Sequence, residues 1–224
     1  TNITINSAQL SWTETGTATQ WEVYVVQLGG PGPNPALNVT SGIVTSNNPY
    51  TATGLNSGAI YQFYVRSICN AATNDLSAWK GPFQFITLIS NDECISAINV
   101  PVNNTLFCTQ TTAGTVIGAT ASAQPITPCT GSINNDVWYS FIATSTRHTI
   151  ALINVQGSTT NLNHAVYSGT CGALVNLFCS DPNDSFFQNY VVGQTYFIRV
   201  YSASNTAETT TFNICIGTPG PPII

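Results

Sequence analysis

Short runs of alternating apolar and polar residues, each bounded by Gly, Pro or Asn, restrict the fold of this chain more than any other feature of its sequence. No segment of about ten residues carries an apolar stripe at helical spacing. Strands are predicted at residues 9–12, 20–27, 60–68, 83–88, 137–143, 149–155, 165–168, 195–201 and 211–216. The chain is therefore predicted to be all-β, and strands at this spacing are typical of consecutive sandwiches.

Charge is scarce along the chain, since charged residues make up 6% of it and the formal net charge is −5. The four cations, Arg66, Lys80, Arg147 and Arg199, are far apart in sequence, so they predict no basic patch for a phosphate backbone. No apolar run reaches the ~18 residues that a membrane span needs. The sequence therefore predicts neither a nucleic acid partner nor a membrane span.

Seven cysteines occur without a methionine, and none forms the Cys-x-x-Cys pair that indicates zinc or redox chemistry. Disulfides in an oxidising compartment are the better interpretation, which predicts an extracellular or cell-surface location. Six cysteines lie in the second part of the chain: Cys94, Cys108, Cys129, Cys171, Cys179 and Cys215. The Gly turn in CGALVNLFC predicts a bond between Cys171 and Cys179. We expect the others to pair as Cys94 with Cys215 and Cys108 with Cys129.

The stretch LNSGAIYQFYVRS at 55–67 has a Leu six residues before a Tyr and then alternating apolar residues, which is the pattern of a tyrosine corner in a Greek-key sandwich. With Trp12 on an early strand, residues 1–88 resemble a fibronectin type III domain. The core pattern of that family has counterparts at Trp12, Leu55, Tyr61 and Val65. The first strand is short, and no Arg-Gly-Asp is present to support integrin binding.

Three later motifs follow in order: DVWYSFIA at 136–143, HTIALINVQGSTTNLNHAVYSG at 148–169 and VGQTYFIRVYSASN at 192–205. Together they resemble the bacterial pre-peptidase C-terminal family and its disulfide-bonded relatives. The resemblance implies a jelly-roll or CUB-like sandwich over 89–217, which is a non-catalytic appendage of secreted proteins. Residues 218–224 are predicted to be a proline-rich linker to a further module. This order of modules resembles bacterial surface and secreted proteins exported by type IX secretion.

The segment NNDVWYSF at 134–141 reads as a strand with Val137 and Tyr139 on one face and Trp138 on the other. Apolar residues on both faces predict a central strand that is covered on both sides. Asp136 stands at the start of this strand. Its carboxylate is interpreted either as a cap of a turn or as a metal ligand.

The segment SDPNDS at 180–185 holds the other candidate calcium ligands, which are Asp181, Asn183 and Asp184, with Asp92 or Asp136 brought close by folding. An EF-hand is excluded, because Phe186 and Val192 stand where that loop needs Gly and Glu. A solvated turn is the alternative interpretation. Calcium is the one candidate cofactor of the chain.

Aromatic residues near turns are candidates for stacking on a sugar, because a flat ring matches the apolar face of a sugar. The candidates are Trp79 in SAWKGP and Phe186, Phe187 and Tyr190 in FFQNY. Packing in the core is the alternative, since most aromatic residues of a sandwich are buried.

The sequence predicts no catalytic residue. Its two histidines, His148 and His164, stand at strand starts, and no His-Glu-x-x-His, Gly-x-Ser-x-Gly or phosphate-binding glycine loop occurs. The predicted function is adhesion or display within a multi-modular bacterial surface protein, with polysaccharide or other surface proteins as partners. One alternative is an accessory region of a secreted peptidase or glycoside hydrolase that binds polymer or aids export. Another is a filament subunit that self-associates through strand edges.

Cys69 is left over, in a part of the chain with no other cysteine. An odd cysteine in an exported protein indicates a partner outside the sequence in view. Because related fibronectin type III modules often carry a cysteine just ahead of their first strand, the resemblance implies a partner upstream of Thr1. A buried free thiol, packed as a small hydrophobe, is the alternative.

Overall fold

The computed structural model describes residues 2–36, 41–124, 128–131, 135–181, 183–204 and 206–220. It contains two compact units, Thr1–Leu88 and Ile89–Ile224, each with its own apolar core. Strands dominate both units, and their family assignments below are both β-sandwiches, so the all-β prediction is confirmed. Residues 221–224 of the predicted linker lie outside the described residues.

Among its described residues the first unit has seven strands: β1 Ser7–Leu10, β2 Trp21–Gln27, β3 Ile43–Thr45, β4 Tyr50–Thr53, β5 Ile60–Asn70, β6 Asp75–Leu76 and β7 Lys80–Ile86. Strands β1 and β4 form a two-stranded sheet. In the second sheet β2 lies between β3 and β5, and β5 also pairs with β6 and β7. Alternate residues of β1, β2 and β5 form the core, because successive side chains of a strand point to opposite faces.

A tyrosine corner closes this first sandwich. The Tyr61 hydroxyl accepts a hydrogen bond of 2.9 Å from the Asn56 backbone N–H, and Leu55 packs against the core. Trp12 is only partly buried and contacts the Trp21 ring edge-on at 5.5 Å. The predicted corner is therefore present, whereas Trp12 lies at the margin of the core.

The second unit begins with a 3₁₀ helix at Cys94–Ser96. The part of it that the structure describes has nine strands: β8 Ile98–Asn99, β9 Thr112–Thr115, β10 Val137–Ile142, β11 Arg147–Gln156, β12 Leu162–Thr170, β13 Ala173–Ser180, β14 Asp184–Gln188, β15 Thr195–Ser202 and β16 Thr211–Gly217. One sheet has the order β13-β12-β15-β10-β8 and the other the order β14-β11-β16-β9. The pairing of β8 with β10 is parallel, and the other pairings within these two sheets are antiparallel.

Strand β10 is central and covered on both faces, as its sequence predicts. Val137, Tyr139 and Phe141 lie in the core between the two sheets. Trp138 lies on the outer face of its sheet, fully buried in a second cluster with Tyr167. The segment that leads from β9 to β10 therefore has to cover this outer face.

Three disulfides link the six cysteines of the second unit as Cys94–Cys171, Cys108–Cys215 and Cys129–Cys179. All three predicted pairings are wrong. Cys171 lies in the turn just before the extended strand β13, and Cys179 lies near the far end of that strand. At ~3.3 Å per residue they are more than about 20 Å apart, whereas a disulfide needs Cα atoms within ~7 Å.

The two other predicted pairs fail for a shared reason. Cys94 and Cys129 pack with Trp138 on the outer face of the five-stranded sheet. Cys215 alternates with the core residues Ile214 and Ile216, so it points away from the core on the four-stranded sheet and meets Cys108 there. Cysteines on opposite outer faces are separated by the thickness of the sandwich.

Candidate functional site

A cleft of about 1000 Å³ opens on the first unit, between residues 11–18, which follow β1, and the strands β5 and β7. Its walls are aromatic and are formed by Trp12, Trp21, Phe63 and Phe83. The register of β5 and β7 places Phe63 opposite Phe83, with ring centroids 5.2 Å apart. Phe83 is 48% exposed, so one wall of the cleft is open to solvent.

Glu14 holds residues 11–18, which follow β1 and form one wall of the cleft. Its carboxylate accepts hydrogen bonds from Trp21 Nε1 at 2.6 Å, from the Gly16 N–H at 2.7 Å and from Ser67 Oγ at 3.0 Å. These bonds, with the one from Trp21 first, lower the pKa of Glu14. The carboxylate therefore stays charged and fixes residues 11–18 against β5.

The polar groups of the cleft include Lys80, Ser77 and Cys69, and Lys80 forms no ion pair among the described residues. The indole Nε1 of Trp12 is buried and has no hydrogen-bond acceptor within that same part of the chain. A concave apolar site with a few polar groups is the usual form of a ligand site. This cleft could not be predicted from the sequence, because Trp12 matches a core position of the fibronectin type III pattern.

Trp79 lies outside the lining of this cleft and makes structural contacts. The guanidinium of Arg66 lies 4.4 Å from the centroid of its ring, and Trp79 Nε1 donates to the Asn34 carbonyl at 2.9 Å. Arg66 itself pairs with Glu22 at 2.7 Å, and both side chains are buried. One face of the Trp79 ring is therefore in contact with a cation of the protein.

The FFQNY segment divides between core and surface. Tyr190 is 2% exposed and belongs to the core, and Phe187 stacks on Phe178 with centroids 4.7 Å apart. Phe186 alternates outward on β14 and is 53% exposed. Of the stacking candidates in this segment, Phe186 alone presents a largely exposed ring.

Asp136 serves as the counter-ion of Arg199 in the second unit. The Arg199 Nε donates to Asp136 Oδ2 at 2.9 Å, and neither side chain is exposed to solvent. The same carboxylate accepts from the Ser122 N–H and hydroxyl and from Trp138 Nε1. The carboxylate therefore binds donors of the protein, among them a buried counter-ion that neither sequence interpretation of Asp136 predicted.

The other calcium candidates lie at the end of β13 and the start of β14. Asn183 Oδ1 accepts from the Leu162 N–H at 3.0 Å, and its Nδ2 donates to the Thr160 carbonyl at 2.9 Å. Asp181 is exposed in the turn after β13, and Asp184 is exposed at the start of β14. Among the described residues, no group of three or more His, Cys, Asp and Glu side chains could hold a metal ion. Calcium binding at this turn stays a prediction.

Both histidines are buried structural groups. His148 Nε2 accepts from the N–H groups of Thr144 and Ser145, each at 3.2 Å. His164 Nε2 lies 2.6 Å from Ser185 Oγ across the core. Desolvation lowers the pKa of both, and that of His164 falls from 6.5 to about 4. Neither ring is placed to act on a substrate in solvent.

We expect the second unit to lose stability as the pH falls from about 6.5 towards 4. The folded state keeps His164 neutral down to its pKa of about 4, whereas the unfolded chain binds a proton below 6.5. The stabilisation is therefore complete above pH 6.5 and is lost progressively below it. Chemical unfolding of the chain and of His164→Gln at several pH values measures the effect. An equal dependence of the unfolding free energy on pH in both proteins would contradict this expectation.

Cys69 is exposed and lines the cleft, which rules out the buried thiol as an explanation. The partner upstream of Thr1 stays a prediction, and a segment bonded to Cys69 would enter the same cleft. We expect Cys69 of residues 1–224 to react rapidly with an alkylating reagent, and a version extended upstream to resist it until reduced. Rapid alkylation of the extended, oxidised protein would contradict this assignment.

The two units define a chain of consecutive non-catalytic β-sandwich modules. A family model described as galactose-binding domain-like and associated with type IX secretion matches residues 90–214, and a fibronectin type III model matches residues 1–80. The chain therefore belongs to the type IX secretion-associated galactose-binding-like family, with a fibronectin type III domain ahead of that module. The suspected arrangement is confirmed. No helix among the described residues is long and apolar enough to cross a membrane.

Comparisons with individual proteins add little to this assignment. No curated protein matches the chain. A solved structure of tripeptidyl peptidase 2 is similar at 7% identity and a TM-score of 0.25, over 96% of this chain and 18% of that one. A TM-score this low carries no argument about fold or function.

Proposed function

We propose that the chain is a non-catalytic binding segment of a multi-modular extracellular bacterial protein, and that it serves adhesion or display. The aromatic cleft of the first unit carries this proposal, because it is concave, open to solvent and lined by rings. The titratable groups described above support a role without chemistry, since Asp136, Arg199, His148 and His164 are all buried in structural contacts.

An extracellular polysaccharide is the ligand class that fits this cleft best. The exposed ring of Phe83 offers an apolar surface, and the Lys80 ammonium supplies hydrogen-bond donors near it. Stacking with a few hydrogen bonds is weak at one site. Repetition over several modules of one protein would strengthen it by raising the effective concentration.

We expect Phe83→Ala to weaken binding to an insoluble polysaccharide by about tenfold. Aromatic contacts commonly contribute about 0.5–1.5 kcal/mol, and the variant loses both the stacking of the ring and the apolar area that the ring would bury. Pull-down of the purified chain with a panel of cell-surface polysaccharides measures it. Ile43→Ala, which alters another exposed apolar residue of the first unit, is the matched control.

The variant Phe186→Ala tests whether the polysaccharide binds to the second unit instead of the first. Loss of binding in that variant, with Phe83→Ala unchanged, would move the site to the galactose-binding-like unit and overturn the assignment to the cleft. Binding to no polysaccharide of the panel would contradict the proposed ligand class. A catalytic domain elsewhere in the same polypeptide would instead favour the accessory role in a secreted peptidase or glycoside hydrolase.

A further inference from the structure

Five large apolar side chains are exposed at one end of the second unit, and we call them the apolar tip: Leu106, Phe107, Ile142, Val191 and Val192. Each is at least 52% exposed, and Phe107 reaches 77%. Ile142 is the last residue of β10, and the others come from the connections that follow β8 and β14. Single exposed apolar residues are ordinary on a protein surface, but a group on adjoining loops indicates a contact surface.

The pairing of the strands brings these connections to the same end. Ile142 stands opposite Thr195, so the end of β10 lies beside the start of β15. The Gly193 N–H donates to the Ala143 carbonyl at 2.8 Å, which joins the connections after β10 and β14. Because β8 runs parallel to β10, the connection after Asn99 leaves at this end as well.

The connection that carries Leu106 and Phe107 is held firmly. Cys108 is bonded to Cys215 on β16, and the Thr218 N–H donates to the Thr105 carbonyl at 3.1 Å. The buried Asn103 side chain makes hydrogen bonds to both backbone groups of Gln110. Both apolar residues are therefore presented on a fixed loop.

A second tyrosine contact holds the connection after β14. The Val191 N–H donates to the Tyr196 hydroxyl at 2.8 Å, and the Tyr190 N–H donates to the Thr146 carbonyl. His148 holds the connection after β10, because its Nε2 accepts hydrogen bonds from the backbone N–H groups of Thr144 and Ser145. The tip is thus built by buried polar contacts while its apolar side chains face solvent.

Charge is distributed unevenly along the second unit. None of its six carboxylates lies in the three connections of the tip, at 100–111, 143–146 and 189–194. Asp136, Asp181, Asp184 and Glu208 instead lie at or near the strand ends on the opposite side. The one charge beside the tip is Arg147, at the start of β11, which forms no ion pair among the described residues.

We propose that the apolar tip docks the second unit onto a lipid bilayer that carries negative charge, by insertion of Leu106, Phe107 and the two valines into the headgroup boundary. Exposed apolar side chains can enter the headgroup boundary, and one cation near an anionic surface adds about 1 kcal/mol of attraction that no nearby carboxylate opposes. The flanking Thr, Asn and Gln residues match the hydrogen-bonding headgroup layer. A polysaccharide offers no comparable apolar phase for five aliphatic and aromatic side chains.

Sedimentation of the full 224-residue chain with vesicles tests this proposal. We expect binding to vesicles of phosphatidylcholine with phosphatidylglycerol, and weaker binding to phosphatidylcholine alone or at high salt. The double variant Leu106→Ser with Phe107→Ser should reduce the partition coefficient at least about tenfold. Phe186→Ser, which removes an exposed Phe outside the tip, should leave it within about twofold.

A second variant keeps the test independent of folding defects. Phe107→Trp should show a blue-shifted difference emission on adding the anionic vesicles, and quenching by brominated lipid, because the ring enters the acyl boundary. No sedimentation of the unchanged chain with either vesicle, or no quenching at position 107 in bound protein, would overturn the proposal. Equal loss of binding in Phe186→Ser would overturn it too, since the tip would then not be the contact.

Discussion

Replacement of Arg199 by Met should destabilise the second unit by about 3–5 kcal/mol, the range for removal of one partner of a buried ion pair. The Asp136 carboxylate would remain fully buried without its counter-ion. The segment that covers the outer face would also lose two anchors. Arg199 donates to the Gln124 carbonyl at 3.0 Å and to the Ser122 hydroxyl at 3.1 Å.

Urea unfolding followed by far-UV circular dichroism measures this change, with the transition of the first unit as an internal reference. Arg147→Met is the matched control, because it removes a partly exposed cation without an ion pair and should cost about 0.5 kcal/mol or less. In the double variant Arg199→Met with Asp136→Asn the loss should be smaller than the sum of the single losses. A loss below about 1 kcal/mol for Arg199→Met would contradict the structural role of the pair.

The first unit also contains a buried ion pair between an arginine and a carboxylate, formed by different residues. Glu22 and Arg66 form a buried pair, and Glu22 also accepts from the N–H groups of Ser41 and Gly42. Each buried arginine lies over a tryptophan, Arg66 over Trp79 and Arg199 over Trp138. Two of the four cations of the chain are therefore structural anchors for connecting segments, which leaves still less positive charge at the surface.

The long strands could be predicted from sequence, because burial of one or both faces imposes a pattern on many residues. Trp21–Gln27, Ile60–Asn70 and Thr195–Ser202 were all found within two residues of their observed bounds. The short strands Ile43–Thr45 and Ile98–Asn99 were missed, since two or three residues cannot show a period. Ala173–Ser180 was missed for another reason: it is an edge strand with little burial and needs no apolar pattern.

The long-range contacts could not be predicted in this way. Asp136 meets Arg199 because β10 pairs with β15, which sets Trp138 opposite Arg199 across 61 positions of sequence. A local signal did exist, since a lone Arg inside each of the apolar runs YVRSI and FIRVY is a charge that needs a buried partner. The identity of the partner depends on strand order, as does the pairing of the cysteines.

Removal of the Cys108–Cys215 disulfide should destabilise the second unit by about 4–5 kcal/mol, because it closes the longest loop of the three bonds. The two cysteines are 107 residues apart in sequence, against 77 and 50 for the other pairs. The unfolded chain without this bond gains the most conformational freedom. The Asn103 contacts that fix the loop of Leu106 and Phe107 would also lose their covalent support.

The double variant Cys108→Ala with Cys215→Ala avoids leaving a new free thiol and is compared with the parent by guanidinium unfolding without reductant. Cys69→Ala is the control, since this exposed cysteine forms no disulfide in the structure and should change stability by about 0.5 kcal/mol or less. A loss below about 1 kcal/mol in the double variant would mean that the unfolded chain is already restricted near these residues. The loop at Thr105–Thr109 would then be held by the Asn103 hydrogen bonds and by the bond from the Thr218 N–H to the Thr105 carbonyl, and the variant should still present Phe107 to solvent and to lipid.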